Sequence, residues 1–253
     1  MTITFLGTGT SQGVPVIACD CEVCNSLDFR DKRTRTSIHI EVDGQSIVID
    51  TGPDFRQQIL RERIHKLDAI IFTHQHRDHT GGLDDVRSFN FKQKSDMPIY
   101  GSRAVIEQLK KDYEYIFNPS DYPGVPRVIE FLIDNNTFRI NNTNIIPIYL
   151  LHHKLPVLGF RIYDFTYITD ANYIDQDEKE KIMGSKILVI NALQKKHHIS
   201  HFNLQEALDI ISELKPEKAY LTHISHYLGQ SRQIEKELPD NVMLAYDGLK
   251  IDL

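Results

Sequence analysis

The sequence predicts a mixed α/β protein with a weak similarity between its two halves. Three observations lead to this prediction: short runs rich in β-formers, longer helical patterns between them, and a weak internal repeat. In this repeat, each half of the chain contains two apolar strands that are followed by aspartate or histidine residues. With 253 residues, 41% of them hydrophobic, one large domain can bury a core that needs no disulfide staples.

Strand-length apolar runs recur along the whole chain. The predicted strands are 2–6, 37–42, 46–49, 68–72, 128–133, 145–150, 157–163, 165–168, 186–190, 218–221 and 242–245. Asp43-Gly44 is typical of a tight hairpin turn, and Tyr163-Asp164 indicates a second turn. The predicted helices, with apolar residues at helical spacing, are 54–63, 103–117, 176–183, 203–214 and 230–238.

One stretch, 85–127, is less regular than the rest. It contains Pro98, Pro119, Pro123 and Pro126, which interrupt helices and strands. We predict a substrate-covering insertion with a helix inside it, within a single domain that spans 1–253.

Charge and hydropathy limit the cellular setting and the partners. The net charge of −6 disfavours an extended nucleic-acid groove, which is usually basic. The apolar runs are far shorter than the roughly 20 residues that cross a bilayer, and the first residues lack the pattern of a signal peptide. We therefore expect a soluble, cytoplasmic protein without a membrane partner.

The strongest chemical signal is a group of four metal-binding residue types, His74, His76, Asp78 and His79, directly after a predicted strand. Two histidines at alternate positions of an extended segment point to the same side and can bind one ion. If a helix begins next, Asp78 and His79 lie on its first turn and can face a second ion. Imidazole and carboxylate groups suit borderline ions such as zinc, manganese and iron.

This motif, preceded by Asp50 and followed by Asp170 and His223, resembles that of the metallo-β-lactamase superfamily along essentially the whole chain. The resemblance implies a four-layer αββα sandwich of two mixed β-sheets with a binuclear metal site at one edge. It implies that His74, His76 and a later histidine hold one metal and that Asp78, His79 and His223 hold the other. It also implies that Asp170 bridges both metals and that Asp50 orients a ligand histidine.

The later histidine is either His152 or His153. Consecutive residues of a strand face opposite ways, so only one of them can point into the site. The family pattern His-x-Lys-Leu favours His152, whereas counting back from Gly159 without a gap favours His153. We choose His152.

All three cysteines, Cys19, Cys21 and Cys24, lie within the loop 19–24. An odd number of cysteines argues against a disulfide framework, and a structural zinc needs a fourth ligand. His226, three residues after His223, is the expected fourth ligand. A redox-sensing thiol cluster and a loop of free cysteines are the alternatives.

The glycine-rich segment 7–15 before the cysteines, the segment 222–226 and Tyr246-Asp247-Gly248 narrow the resemblance further. Together they are similar to the phosphoribosyl 1,2-cyclic phosphate phosphodiesterases. That group implies a structural zinc on three cysteines and one histidine, two catalytic divalent ions (manganese or zinc), and a catalytic histidine that matches His201.

The reaction that this resemblance implies is hydrolysis of a small, cyclic phosphodiester by a hydroxide that bridges the two metals. Asp78 and Asp170 would position the nucleophile, and His201 would contact the phosphoryl group or protonate the leaving oxygen. The expected partner is a small phosphate ester, and a homodimer stays open. The alternatives are a tRNA 3′-processing-type nuclease and a non-catalytic metal-binding relative that acts in cofactor biosynthesis.

Overall fold

A computed structural model describes residues 1–118 and 122–253 of the chain. Its strands are β1 (Thr2–Gly7), β2 (Ser37–Val42), β3 (Gln45–Ile49), β4 (Ala69–Ile71), β5 (Met97–Gly101), β6 (Val128–Leu132), β7 (Phe138–Ile140), β8 (Thr143–His152), β9 (Leu155–Ile162), β10 (Phe165–Tyr167), β11 (Tyr173–Ile174), β12 (Ile187–Asn191), β13 (Lys218–Thr222), β14 (Val242–Leu244) and β15 (Lys250–Asp252). Its α-helices are α1 (Phe55–Glu62), α2 (Arg77–Thr80), α3 (Arg87–Gln93), α4 (Arg103–Asp112), α5 (Glu114–Phe117), α6 (Gln176–Ile182), α7 (Leu204–Leu214) and α8 (Ser231–Ile234). None of these described helices is long and apolar enough to cross a membrane.

The strands form two mixed sheets. The first has the order β15-β1-β2-β3-β4-β5-β6 and is parallel from β3 to β6. The second has the order β11-β8-β9-β10-β12-β13-β14, with β7 paired to β8, and is parallel from β10 to β14. In each parallel half the carboxyl ends of the strands meet at one edge.

Apolar side chains divide the protein into four layers. Alternate residues of a strand face opposite sides, so Ile49 packs between the sheets with Phe160, while its neighbour Val48 packs outward with Phe55 of α1. On the outer side of the second sheet, α7 contributes Ile211 to a separate cluster. The order helix, sheet, sheet, helix confirms the predicted αββα sandwich.

Both predicted hairpin turns are present, since Val42 pairs with Gln45 and Ile162 pairs with Phe165. The prediction of an irregular insertion at 85–127 is wrong for β5, which lies inside the first sheet between β4 and β6. The predicted helix 103–117 is interrupted at Tyr113, between α4 and α5. Pro119 lies outside the described residues, and a substrate-covering role for the rest of the segment stays a prediction.

Candidate metal centre

The predicted site residues follow strands of the two parallel halves. Asp50 follows β3 and the segment 73–79 follows β4 in the first sheet, while Asp170, His201 and His223 follow β10, β12 and β13 in the second. The internal echo in the sequence therefore corresponds to two sets of strand ends that meet at one edge of the sandwich. Side chains held on strand ends are well supported for building a site.

Three of these residues have a strained backbone. The φ angles of Asp50, Asp170 and His223 are 66°, 52° and 54°, in the left-handed region that non-glycine residues rarely adopt. Such conformations cost on the order of 1–3 kcal/mol each and cluster at functional sites, where the surroundings enforce them. Here they turn each side chain away from its strand and into the shared edge.

One histidine group consists of His74, His76 and His152. The ring centroids of His74 and His76 are 4.6 Å apart, and the His152 ring lies 5.8 Å and 5.2 Å from them. His153, by contrast, has a φ of 57° and an exposed side chain. The structure therefore brings His152, and not its neighbour, to the other two histidines.

A second group consists of Asp78, His79, Asp170 and His223, with ligand atoms within 4.8 Å of one another. His79 Nε2 lies 3.3 Å from Asp78 Oδ2 and 3.4 Å from Asp170 Oδ2, and His223 Nε2 lies 3.1 Å from Asp170 Oδ1. Asp170 also lies 3.8 Å from Nε2 of His74, in the first group. It is therefore placed between the two groups.

Hydrogen bonds fix which ring nitrogen of three histidines is free. His79 Nδ1 donates to Asp50 Oδ2 at 2.7 Å, and His152 Nδ1 donates to the Ser200 carbonyl at 2.7 Å. The Thr73 hydroxyl donates its single proton to Asp50, so its contact of 2.9 Å with His74 Nδ1 requires that nitrogen to be the donor. In all three histidines an acceptor thus holds Nδ1 and leaves Nε2 as the nitrogen available to a metal, the arrangement common in metal-ligating histidines.

The buried Nε2 atoms of His74, His79 and His223 have no hydrogen-bond partner among the residues that the structure describes. Leaving buried polar atoms unpaired costs roughly 1–3 kcal/mol each. A cluster of such nitrogens around buried carboxylates fits a divalent cation, and the imidazole and carboxylate donors suit zinc or manganese. The residues present thus fit the metals that the sequence implies.

The electrostatic surroundings also favour an ionised Asp170. Burial alone would raise the pKa of Asp170, but His223 and His79 beside it hold that pKa well below its usual value. Burial, together with the neighbouring His79, lowers the pKa of His74 well below its usual value. An anionic aspartate next to a neutral imidazole is the protonation pattern that a metal ion requires.

His201 lies beside both groups. Its ring centroid is 4.5 Å from that of His152 and 4.6 Å from that of His223, and its ligand atom lies within 4.8 Å of those of His152 and Asp170. Burial, helped by His223, lowers the pKa of His201. The predicted catalytic residue is therefore within reach of the centre.

Several orienting groups were missed by the sequence reasoning, which identified only Asp50. Thr73 and Ser200 each hold a histidine, and both stand next to a histidine in the sequence, which is the signal that could have found them. His198 is only partly exposed, and its ring centroid lies 5.2 Å from that of His201.

The three cysteines surround one histidine nitrogen. His226 Nδ1 lies 3.2 Å, 3.4 Å and 3.5 Å from the sulfurs of Cys19, Cys21 and Cys24. A backbone hydrogen bond from Cys24 lowers the pKa of Cys21 to about 6, and burial raises that of Cys24 to about 11. Three thiols and one imidazole within this distance fit a closed, four-ligand zinc site.

The segment between His223 and His226 is attached to the glycine-rich loop near the start of the chain. Ile224 N donates to Thr8 O at 2.9 Å, and Thr10 N donates to Ile224 O at 3.1 Å. The same short turn therefore carries a residue of each candidate metal site and is fixed by backbone bonds between them.

Comparison with known proteins gives consistent matches. A family model described as "Beta-lactamase superfamily domain" matches residues 45–224. A crystal structure described as a new diphosphatase from the PhnP family is 37% identical, covers 100% of this chain and 97% of its own, and superposes with a TM-score of 0.93. PqqB from Methylobacterium extorquens, at 18% identity and a TM-score of 0.82, shares the fold.

Two curated relatives have other names. A protein of Porphyromonas gingivalis named octanoyltransferase is 37% identical over 99% of this chain, which spans 51% of that protein's length. Ribonuclease Z of Methanopyrus kandleri is 25% identical, over 99% of this chain and 97% of its own length. For several of its curated relatives the chain spans only about half of their length.

Proposed function

Since the chain belongs to the metallo-β-lactamase superfamily and to its PhnP family, we propose that it is a binuclear metal-dependent hydrolase of a small phosphoric diester. The observation that carries this proposal is a set of histidines whose Nδ1 atoms are held by acceptors. In two of them, His74 and His79, the Nε2 atom faces Asp170. A purely structural cluster would be expected to pair those buried nitrogens.

The residues that would hold the metals follow from the two groups. His74, His76 and His152 would hold one ion, Asp78, His79 and His223 the other, and Asp170 both. When bound, two divalent cations there would lower the pKa of a water molecule and offset the charge that develops on the phosphoryl oxygens. Manganese or zinc suits this site, and zinc suits the cysteine site.

The chain's own residues then have distinct tasks. Asp50 keeps His79 in one tautomer, and the Ser200 carbonyl does the same for His152. The lowered pKa of His201 keeps its ring neutral, and the ring is placed to donate a hydrogen bond to the phosphoryl group or to the leaving oxygen. An alkoxide leaves poorly, so such help is typically worth about 10²–10⁴-fold in rate.

For the substrate we propose a cyclic phosphodiester such as phosphoribosyl 1,2-cyclic phosphate. The similarity to a PhnP-family diphosphatase favours a diphosphate as the second candidate, because both substrates require cleavage of a P–O bond. A tRNA 3′-processing role, suggested by the ribonuclease Z relatives, is disfavoured by the net charge of −6. The name octanoyltransferase belongs to a protein about twice as long.

The test is turnover by protein loaded with Mn²⁺ or Zn²⁺, with ³¹P NMR to identify the products. The substrates are bis-p-nitrophenyl phosphate, phosphoribosyl 1,2-cyclic phosphate and a dinucleoside diphosphate. We expect turnover that EDTA abolishes and Mn²⁺ restores. Asp78→Asn should lose it, whereas Asp84→Asn, a nearby carboxylate bonded to Tyr115, should keep it. The proposal would be overturned if none of the three substrates were cleaved with either ion.

A further inference from the structure

Tyr167, at the end of β10, is a buried tyrosine with no assigned task. It is 0% exposed and packs in the cluster between the two sheets. Its hydroxyl oxygen has no well-aligned hydrogen-bond partner among the described residues. Its cross-strand neighbour Phe160 and the nearby Phe165 fill the same layer with rings that lack a hydroxyl. Packing alone therefore does not explain the polar group.

The polar groups near this hydroxyl belong to the metal centre. They are the Thr169 hydroxyl and the carboxylates of Asp50 and Asp170, which come from opposite sheets. Tyr167 and Thr169 are two residues apart in an extended segment, so their side chains lie on the same side. The phenol consequently lies beneath the site.

The hydrogen bond from Thr169 to Asp170 determines which of the Tyr167 and Thr169 hydroxyls can donate to the other. The Thr169 hydroxyl donates its only proton to Asp170 Oδ1 at 2.7 Å. Its oxygen can then only accept further hydrogen bonds, and a phenol is a neutral donor at physiological pH. A hydrogen bond to Thr169 Oγ1 would give the buried Tyr167 hydroxyl the partner that buried polar groups normally have.

We propose that Tyr167 is a positioning residue of the metal centre: its hydroxyl donates to Thr169 Oγ1, and Thr169 in turn holds Asp170 Oδ1. The same Asp170 oxygen lies 3.1 Å from His223 Nε2, so the relay fixes how the carboxylate faces both metal positions. The inference rests on the proposed function in one respect, that Asp170 is a metal ligand.

The test is Mn²⁺ affinity, measured without substrate by EPR of free Mn²⁺ in protein that carries zinc on its cysteines. We expect Tyr167→Phe to weaken Mn²⁺ binding about tenfold, the lower part of the range for groups that support metal ligands. The control is Tyr220→Phe, which removes a hydroxyl from a tyrosine in the same core cluster and should leave the affinity unchanged. Melting temperatures of both variants show that they fold.

A double variant tests the relay itself. Thr169→Val should also weaken Mn²⁺ binding, and adding Tyr167→Phe to it should cost nothing further, because the phenol acts through Thr169. Wild-type affinity in Tyr167→Phe, or losses that simply add in the double variant, would overturn the proposal. Tight Mn²⁺ binding by the wild type without turnover would instead count against the proposed function alone.

Discussion

Asp50→Asn provides a direct test of how the centre is organised. The Asp50 carboxylate is fully buried and accepts three hydrogen bonds, from Thr73 N at 2.9 Å, Thr73 Oγ1 at 2.8 Å and His79 Nδ1 at 2.7 Å. Both of the latter end on Oδ2. If the asparagine amide nitrogen takes the place of Oδ2, it faces two donors. If the amide is turned the other way, the nitrogen takes the place of Oδ1 and Thr73 N loses its acceptor.

His79 would relieve the clash by moving its proton to Nε2, which removes the lone pair that faces the metal. Loss of such a supporting carboxylate typically costs 10–100-fold in metal affinity or activity. That factor corresponds to about 1.4–2.8 kcal/mol. We therefore expect Asp50→Asn to lower Mn²⁺ affinity by about that factor and turnover at limiting metal in parallel.

The assay is the Mn²⁺ titration described above, with Asp68→Asn as the matched control. Asp68 precedes β4 and also accepts a backbone hydrogen bond, from Ser46 N at 2.9 Å, but it is absent from the metal groups found among the described residues. The control should bind Mn²⁺ as the wild type does. If Asp50→Asn did so as well, the argument that Asp50 sets the tautomer of His79 would be refuted.

Three further predictions concern separate parts of the molecule. His201→Ala should lower turnover by about 10²–10⁴-fold while metal analysis still finds the catalytic ions; an equal loss of metal would make His201 a ligand instead. Burial lowers the pKa of His39 from 6.5 to about 4, so the unfolded chain binds the proton first and stability falls as pH drops through this range. The free energy of unfolding, measured with urea, should fall between pH 7.5 and pH 4.5 in both proteins. The fall should be smaller by roughly 2–3 kcal/mol in His39→Gln than in the wild type. A Cβ on Gly52 would clash with the backbone oxygen of Asp78, so Gly52→Ala should weaken Mn²⁺ binding. The control Gly44→Ala, at a φ of 74° with open space around it, should lower stability and leave Mn²⁺ binding unchanged.

Much of the fold was predictable because its signals are local. The apolar run of β3 and the turn Asp43-Gly44 are both evident in neighbouring residues, and the structure has both. β5 was missed because Pro98 is typical of a strand break, yet this proline lies within β5, which pairs with β4 on one side and β6 on the other. The short strands β11 and β15 depend on partners distant in sequence, which no local pattern reveals.

The candidate site was predictable in its residue types but not in its support. His74 and His76 stand together in the sequence, so their grouping needs no tertiary information. By contrast, the choice between His152 and His153 depends on where β8 ends, and the Ser200 carbonyl that holds His152 lies 48 residues away. Such contacts depend on the packing of the sheets.

The distance along the chain between the cysteines and their histidine has a consequence for synthesis. Cys24 and His226 are 202 positions apart, so the three thiols leave the ribosome long before their fourth partner exists. At about 5–20 residues per second that interval lasts roughly 10–40 seconds. During this time the nascent chain carries three cysteines of an incomplete zinc site, and their thiols are open to oxidation or to binding of another metal ion. The zinc available during translation therefore affects the fraction of molecules that form the complete site.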